Sequence, residues 1–204
     1  MNTGIDIPSD SGPHVAQIKN AGIDFVARYY RKPSSHWPPL SASEARLLSS
    51  SDLEVVAVWE SASDSASYFT RLAGLDDATT AYHQASRIGQ PAGSAIYFAV
   101  DFDASGREIT GPIDDYFRGV AAGFAAAGGD SPDYNVGIYG SGATCQALLQ
   151  AGLADYTWLA VSSGWAGYKS FTKWSIKQGK ALTSLPFDHD SDQAQDDFGG
   201  FQVP

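Results

Sequence analysis

The chain has 204 residues, enough for one domain with a sizeable core and short for two, so residues 1–204 are expected to form a single domain. Hydrophobic residues make up 43% and charged residues 18%, which excludes an intrinsically disordered chain, and no apolar run reaches the roughly 20 residues of a membrane span. The formal net charge of −10 argues against nucleic acid and anionic membranes as partners, because an acidic protein repels phosphates.

Short apolar runs alternate with helical stretches along most of the chain. The predicted strands are Gly4–Ile7, Phe25–Tyr30, Glu54–Trp59, Ala95–Asp101, Asn135–Tyr139, Thr157–Ser162, Trp174–Gln178 and, more weakly, Pro186–Asp190. The predicted helices include Pro13–Ala21, Ala42–Ser50, Asp76–Ile88 and Pro112–Ala127. Strands that alternate with helices indicate an α/β protein with a parallel sheet, and eight strands favour closure into a (β/α)8 TIM-like barrel.

This barrel is expected to be irregular, because 204 residues lie near the lower limit for the fold. The stretch between Trp165 and Trp174 is too brief for a full helix, so some helices are expected to be short or missing. The clearest predicted helix begins at Pro112. Proline suits a first helical position, and Asp114 and Asp115 complement the positive end of the helix dipole.

The fourth predicted strand carries the most informative side chains, because successive residues point to opposite faces of a strand. One face is predicted to pack against helices and consists of Ile96, Phe98, Val100 and Phe102. The other face is predicted to point into the barrel and consists of Tyr97, Ala99, Asp101 and Asp103. Two carboxylates are therefore expected at the C-terminal end of a barrel strand, where barrel enzymes keep their catalytic residues.

Acidic residues end other predicted strands in the same way. Asp6 ends the first strand, Glu60 follows the third, and Asp190 lies at the end of the last. Each alone is also consistent with a helix cap or a solvated loop residue, but their recurrence favours a shared cleft. Like charges crowded together raise at least one pKa, which divides carboxyl groups into general acids and bases or nucleophiles. The predicted catalytic residues are Asp6, Glu60, Asp101 and Asp103.

A second set of side chains near the predicted strand ends is suited to binding a substrate. It consists of Arg28, Tyr30, Tyr139, Trp165, Gln178 and Asp190. Aromatic rings can stack on sugars, although most Trp and Tyr residues are parts of cores or rims. Arg28 is the cation expected near the acids, either holding a carboxylate ionised or forming a structural ion pair.

Other kinds of site find little support. The single cysteine, Cys145, excludes an internal disulfide and a thiolate zinc cluster, and the segment Asp188–Asp192 lacks the later residues of a calcium loop. No phosphate-binding loop, zinc-protease motif or nucleophile elbow occurs, so neither a cofactor nor a metal is predicted. Residues Met1–Asp6 show no basic segment before an apolar stretch, so no signal peptide is predicted and the localisation and oligomeric state stay open.

The motifs in their order and spacing resemble the bacterial glycoside hydrolase-like domain of unknown function, family 1906, which is similar to the family-25 lysozymes. The matching segments are Gly4–Asp6, Phe25–Tyr30, Trp59–Glu60, Ala99–Asp103, Tyr116–Gly119, Gly137–Gly140, Ser163–Trp165, Asp190–Ala194 and Phe198–Gly199. The resemblance spans nearly the whole chain. It implies an irregular TIM-like barrel with an acidic cleft at the C-terminal ends of its strands.

The resemblance also implies an activity, with two departures from the lysozyme pattern. Family-25 lysozymes carry D-x-E at the fourth strand, and Asp103 stands where the glutamate is expected; Asp192 replaces an asparagine. The first hypothesis is a glycosidase acting on peptidoglycan or a related amino-sugar polymer. In it, Glu60 or Asp103 is the general acid and Asp101 is the nucleophile or orients the substrate. The alternative is a non-catalytic glycan-binding module that retains the acidic cleft.

Overall fold

A computed structural model describes residues 1–128 and 133–204, and within them eight strands close into one barrel in sequence order. The strands are β1 (Asn2–Asp6), β2 (Phe25–Tyr30), β3 (Glu54–Trp59), β4 (Ala95–Ala99), β5 (Asn135–Gly140), β6 (Tyr156–Leu159), β7 (Ile176–Gln178) and β8 (Asp190–Ala194). The α-helices are α1 (Val15–Asn20), α2 (Ala42–Ser50), α3 (Arg71–Ile88), α4 (Gly106–Glu108), α5 (Asp114–Gly128) and α6 (Gly142–Gln150). The predicted TIM-like barrel is confirmed.

The last strand departs from the prediction in position and direction. β8 covers Asp190–Ala194 rather than Pro186–Asp190, and it runs antiparallel to both β7 and β1, whereas the remaining neighbours are parallel. A parallel pair needs a crossover of a dozen or more residues, usually a helix, and the chain between β7 and β8 is shorter than that. An antiparallel return is the arrangement that such a short connection permits.

Three helices begin differently from the prediction. α1 starts at Val15, and the predicted first residue, Pro13, lies in a short 3₁₀ turn, Gly12–His14. α3 starts at Arg71, five residues before the predicted Asp76, because the Thr70 side chain caps it by accepting a hydrogen bond from the backbone of Ala73. Pro112 lies inside a π-helical turn, Ile109–Ile113, that precedes α5, and is not the first residue of the helix. Since proline has no N–H, the wider turn accommodates the missing hydrogen bond.

The side chains of the strands divide into two layers. Ile96, Phe98 and Val100 of β4 and its continuation pack under the helices, while Tyr97 and Ala99 fill the barrel interior, as the alternation predicted. Glycines on neighbouring strands make room for the interior rings: a Cβ on Gly137 would lie 2.5 Å from the Tyr97 ring. The filled interior forms a floor, so the open space lies above it, at the C-terminal ends of the strands. Among the described residues, no helix combines the length and the apolar character needed to cross a bilayer.

Candidate active site

A cleft of about 290 Å³ opens at the C-terminal ends of the strands, and carboxyl groups from four different strand ends line it. They belong to Asp6, Glu60, Asp101 and Asp190. Tyr29 of β2 and Tyr139 of β5 form part of its walls, and Trp158 forms part of its floor. Because every one of these side chains follows the inward face of its strand, the barrel itself brings them together.

Gln178, at the end of β7, connects the acids on one side of the cleft to the aromatic wall on the other. Its amide nitrogen donates to the carboxylates of Asp6 at 2.9 Å and Asp190 at 3.4 Å. Its oxygen accepts from the hydroxyl of Tyr139 at 2.9 Å and from the backbone N–H of Val161 at 3.2 Å. Both ends of the amide are therefore satisfied, and its orientation is set.

Asp6 and Asp192 form a buried carboxyl pair at the floor of the cleft. Burial, and secondarily the nearby charge of Asp190, raise the pKa of Asp6 to about 7, although hydrogen bonds from Gln178 and Tyr29 act in the opposite direction. The Tyr29 hydroxyl donates to Asp6 at 3.1 Å. Burial and the charge of Asp6 raise the pKa of Asp192 well above its usual range. Asp192 accepts from the indole N–H of Trp158 at 2.9 Å, and its second oxygen is buried with no hydrogen-bond partner among the described residues, so its raised pKa favours the protonated form.

Glu60 and Asp101 form a second carboxyl pair nearer the mouth. Burial and the charge of Asp101 raise the pKa of Glu60, while Arg31 lowers it. Burial and the charge of Asp64 raise the pKa of Asp101. Glu60 is half-buried and Asp101 is exposed, so the proton of the pair is held more readily by Glu60.

Six of the residues selected from the sequence meet in this cleft: Asp6, Glu60, Asp101, Tyr139, Gln178 and Asp190. Asp103 does not line it. The chain leaves the sheet after Ala99, and the backbone of Asp101 bonds instead to Ser63, so the strand alternation no longer directs Asp103 inward. The Asp103 carboxylate is exposed and accepts a hydrogen bond from the backbone of Ala166 at 2.8 Å. Trp165 lies in the same loop as Ala166, half-buried and outside the cleft lining.

Arg28 and Tyr30 lie on the opposite face of β2, so the expectation that Arg28 approaches the acids is wrong. Both side chains are fully buried, with 0% exposure, between the barrel and its helices. Arg28 forms a structural ion pair with Glu44 of α2 at 2.6 Å, and the Tyr30 hydroxyl donates to Gln90 at 2.7 Å. Neither can reach a ligand in the cleft.

The sequence interpretation overlooked Tyr29 and Arg31, although the alternation along β2 could have found them. Phe25 and Ala27 belong to the interior, so Tyr29 and Arg31 continue the same face toward the cleft. The Arg31 guanidinium lies 4.3 Å from the centre of the Tyr29 ring, a cation–π contact. Arg31, and not Arg28, is the cation whose charge acts on Glu60.

The cleft does not resemble a metal centre. Within residues 1–128 and 133–204, no group of three or more His, Cys, Asp or Glu side chains is arranged to hold a metal ion. Hydrogen bonds from Tyr29 and Gln178 occupy both oxygens of Asp6, and Trp158 donates to one oxygen of Asp192. Carboxyl groups with raised pKa values are suited to proton transfer.

Three of the four cleft acids lie at the C-terminal ends of parallel strands, whereas Asp190 begins the antiparallel β8 and does not end the last strand as predicted. A barrel that gathers carboxyl groups at one end is an arrangement that glycoside hydrolases use. The chain belongs to the Rv2525c-like, glycoside hydrolase-like domain family, whose model matches residues 16–198. This confirms the resemblance read from the motifs.

One curated relative and two solved structures are similar to this chain. The uncharacterized protein YbfG of Bacillus subtilis is 31% identical over 196 residues, which are 88% of this chain and 27% of YbfG. The Mycobacterium tuberculosis Tat-secreted protein Rv2525c, crystallised with HEPES, is 24% identical with a TM-score of 0.80 over 98% of both chains. A family 25 glycosyl hydrolase from Bacillus anthracis is 12% identical with a TM-score of 0.58 over 98% of this chain and 94% of that one. The chain thus spans about a quarter of the length of YbfG. The two solved structures share the fold of this chain.

Proposed function

We propose that this domain is a glycosidase that hydrolyses O-glycosyl bonds of peptidoglycan or a related amino-sugar polysaccharide. The observation that carries the proposal is the convergence of Asp6, Glu60, Asp101 and Asp190 on one open cleft. Glycoside hydrolysis uses two carboxyl groups, one holding a proton and one ionised. The unequal environments of Glu60 and Asp101 support such a division.

In this proposal Glu60 is the general acid that protonates the leaving oxygen. Its pKa is raised by burial and by Asp101, so it retains a proton at a higher pH than an ordinary glutamate. Asp101, at the exposed side of the pair, is the nucleophile or the base, or orients the substrate. Asp6 and Asp190, held by Gln178, position the sugar and set the charge at the floor.

The polymer is proposed from the relatives together with the walls of the cleft. Rv2525c is named a candidate peptidoglycan hydrolase, and it is 25% identical to this chain over 164 residues. Tyr29 and Tyr139 line the cleft beside the acids, and aromatic side chains are suited to packing against sugar rings. An open, acidic cleft of this kind fits a neutral or amide-bearing sugar better than a phosphorylated one, since phosphates would be repelled.

The position of Asp103 favours one competing function, a glycan-binding module that does not cut. Asp103 occupies the place of the glutamate in the family-25 pattern, and its carboxylate is bonded to the backbone of Ala166 outside the cleft. A binder would retain the cleft residues and release no product. Sedimentation of the protein with purified cell wall, without release of soluble sugars, would support this alternative.

Digestion of purified wall, followed by quantification of new reducing ends, tests the proposed hydrolysis. Glu60→Gln and Asp101→Asn are expected to lower the rate by about 100-fold or more, because each removes one partner of the acid–base pair. Asp103→Asn is the matched control, since asparagine can still accept the bond from Ala166. Absence of reducing ends with the wild-type protein, or release by Glu60→Gln and Asp101→Asn equal to that of the wild-type protein, would overturn the proposal.

A further inference from the structure

Positively charged side chains line a second concavity of this acidic chain. The chain has 13 lysines and arginines against 23 acidic residues. A groove of about 540 Å³ runs between α3 and the segment that joins β2 to α2, and three cations line it: Arg31, Lys32 and Arg87. The lining, all within the described residues, contains no acidic side chain. Charge complementarity therefore points to an anionic occupant.

The rim of the groove is held in place by the helix behind it. Gln84 of α3 clamps the backbone of Arg31, donating to its carbonyl at 2.7 Å and accepting from its N–H at 3.2 Å. Lys32 forms a salt bridge of 3.2 Å with the buried Asp77. Asp77 balances the charge of Lys32, whereas no salt bridge within the described residues involves Arg31 or Arg87. Arg87 thus contributes a positive charge without a salt bridge, and the charge of Arg31 is offset only by Glu60 on the cleft side.

Arg31 also joins the groove to the catalytic cleft. Its guanidinium lies against the ring of Tyr29, which lines the cleft, while the residue itself lines the groove. The Nε of Arg31 is buried and has no hydrogen-bond partner among the described residues. The guanidinium of Arg31 thus has donors left without acceptors, and a carboxylate or carbonyl oxygen in the groove is a suitable partner for those that are accessible.

The walls of the groove restrict the kind of anion. Pro39, Leu40 and Ile88 contribute apolar surface between the cations. A small, strongly hydrated anion gains nothing from such walls, whereas a short peptide with aliphatic side chains and carboxylates can use both features. We propose that the groove binds the acidic peptide attached to the glycan whose sugars occupy the cleft. This inference rests on the proposed function and identifies its substrate as a glycan that carries peptides.

Binding of two defined fragments tests this inference. One is a soluble glycan–peptide fragment released from purified wall by a muramidase; the other is the same fragment after an amidase has removed its peptides. Affinities are measured by calorimetry with the full chain carrying Asp101→Asn, so that hydrolysis does not consume the ligand. We expect the peptide-bearing fragment to bind about tenfold more tightly, and Arg87→Gln and Arg31→Gln each to remove most of that preference.

Arg46→Gln is the matched control. Arg46 is an exposed arginine of α2 outside the groove lining, so the substitution changes the net charge equally and should leave the preference intact. Thermal unfolding of each variant establishes that it is folded. Equal affinity of the parent protein for both fragments, or an equal effect of Arg46→Gln, would overturn the inference. If the wild-type protein cleaves wall but binds both fragments equally, peptide binding in the groove is refuted and the proposed hydrolysis stands. If it prefers the peptide-bearing fragment but cleaves no wall, the proposed hydrolysis is refuted and peptide binding stands.

Discussion

Asp6 of β1 and Asp192 of β8 are buried carboxyl groups on the antiparallel strand pair that closes the barrel, and the charge of Asp6 raises the pKa of Asp192. Asp192 is nearly inaccessible, with 1% exposure; one of its oxygens accepts from the indole N–H of Trp158, and the other has no hydrogen-bond partner among the described residues. A protonated aspartate presents one donor and one acceptor, as an asparagine side chain does. This explains how an aspartate can occupy the place where the lysozyme pattern has an asparagine.

The pair predicts that stability depends on pH. The folded pKa values of Asp6 and Asp192 are raised, so folding takes up protons, and the stabilisation present at low pH is lost as the pH rises. For Asp6 this loss falls between its ordinary value of 3.8 and about 7. Asp192→Asn should flatten the curve and stabilise the protein by about 1 kcal/mol or more at neutral pH. Urea unfolding of both proteins at several pH values measures this; parallel curves would contradict it.

Tyr29 and Tyr30 are adjacent in sequence but are predicted to affect the cleft differently. Tyr29→Phe removes a hydrogen bond that lowers the pKa of Asp6, so the Asp6 titration should move to higher pH. Tyr30→Phe removes a bond to Gln90 on the outer face and should leave that titration unchanged. Each substitution should cost about 1 kcal/mol of stability. Carbon-13 NMR of the labelled carboxyl groups provides the readout, and equal shifts in both variants would refute the assignment of faces.

Arg28 is predicted to matter for stability and not for binding. Arg28→Ala leaves the buried Glu44 without its partner and should reduce the free energy of unfolding by about 3 to 5 kcal/mol. Arg46→Ala, an exposed arginine on the same helix as Glu44, should change it by less than about 0.5 kcal/mol. Urea denaturation compares them. A loss below about 1 kcal/mol in Arg28→Ala would show that the ion pair does not hold β2 to α2.

The sequence predicted the barrel and much of the cleft because strand alternation holds while the chain remains in the sheet. It placed Asp101 correctly and failed for Asp103, which lies beyond the last ladder bond of β4. The choice of Arg28 and Tyr30 rested on their chemical type, whereas the alternation along β2 favours Tyr29 and Arg31.

The closing strand could not be recognised locally. β8 has the sequence Asp-Ser-Asp-Gln-Ala, without the β-branched and aromatic residues that are typical of strands. Its conformation depends on pairing with β1 and β7, and the burial of Asp192 follows from that pairing. Contacts between distant parts of the chain decide both features. That residues 1–204 form a single domain stays a prediction.

The most direct test of the proposed hydrolysis is digestion of purified wall in water enriched in oxygen-18, followed by mass spectrometry of the released glycans. Glycosidase action incorporates the label at the anomeric carbon of each new reducing end, and the labelled sugar identifies the bond that is cut. We expect labelled ends with the wild-type protein and Asp103→Asn, and about 100-fold fewer with Glu60→Gln or Asp101→Asn. No labelled ends with the wild-type protein, or equal labelling in all four, would contradict the assignment of Glu60 and Asp101 as the catalytic pair.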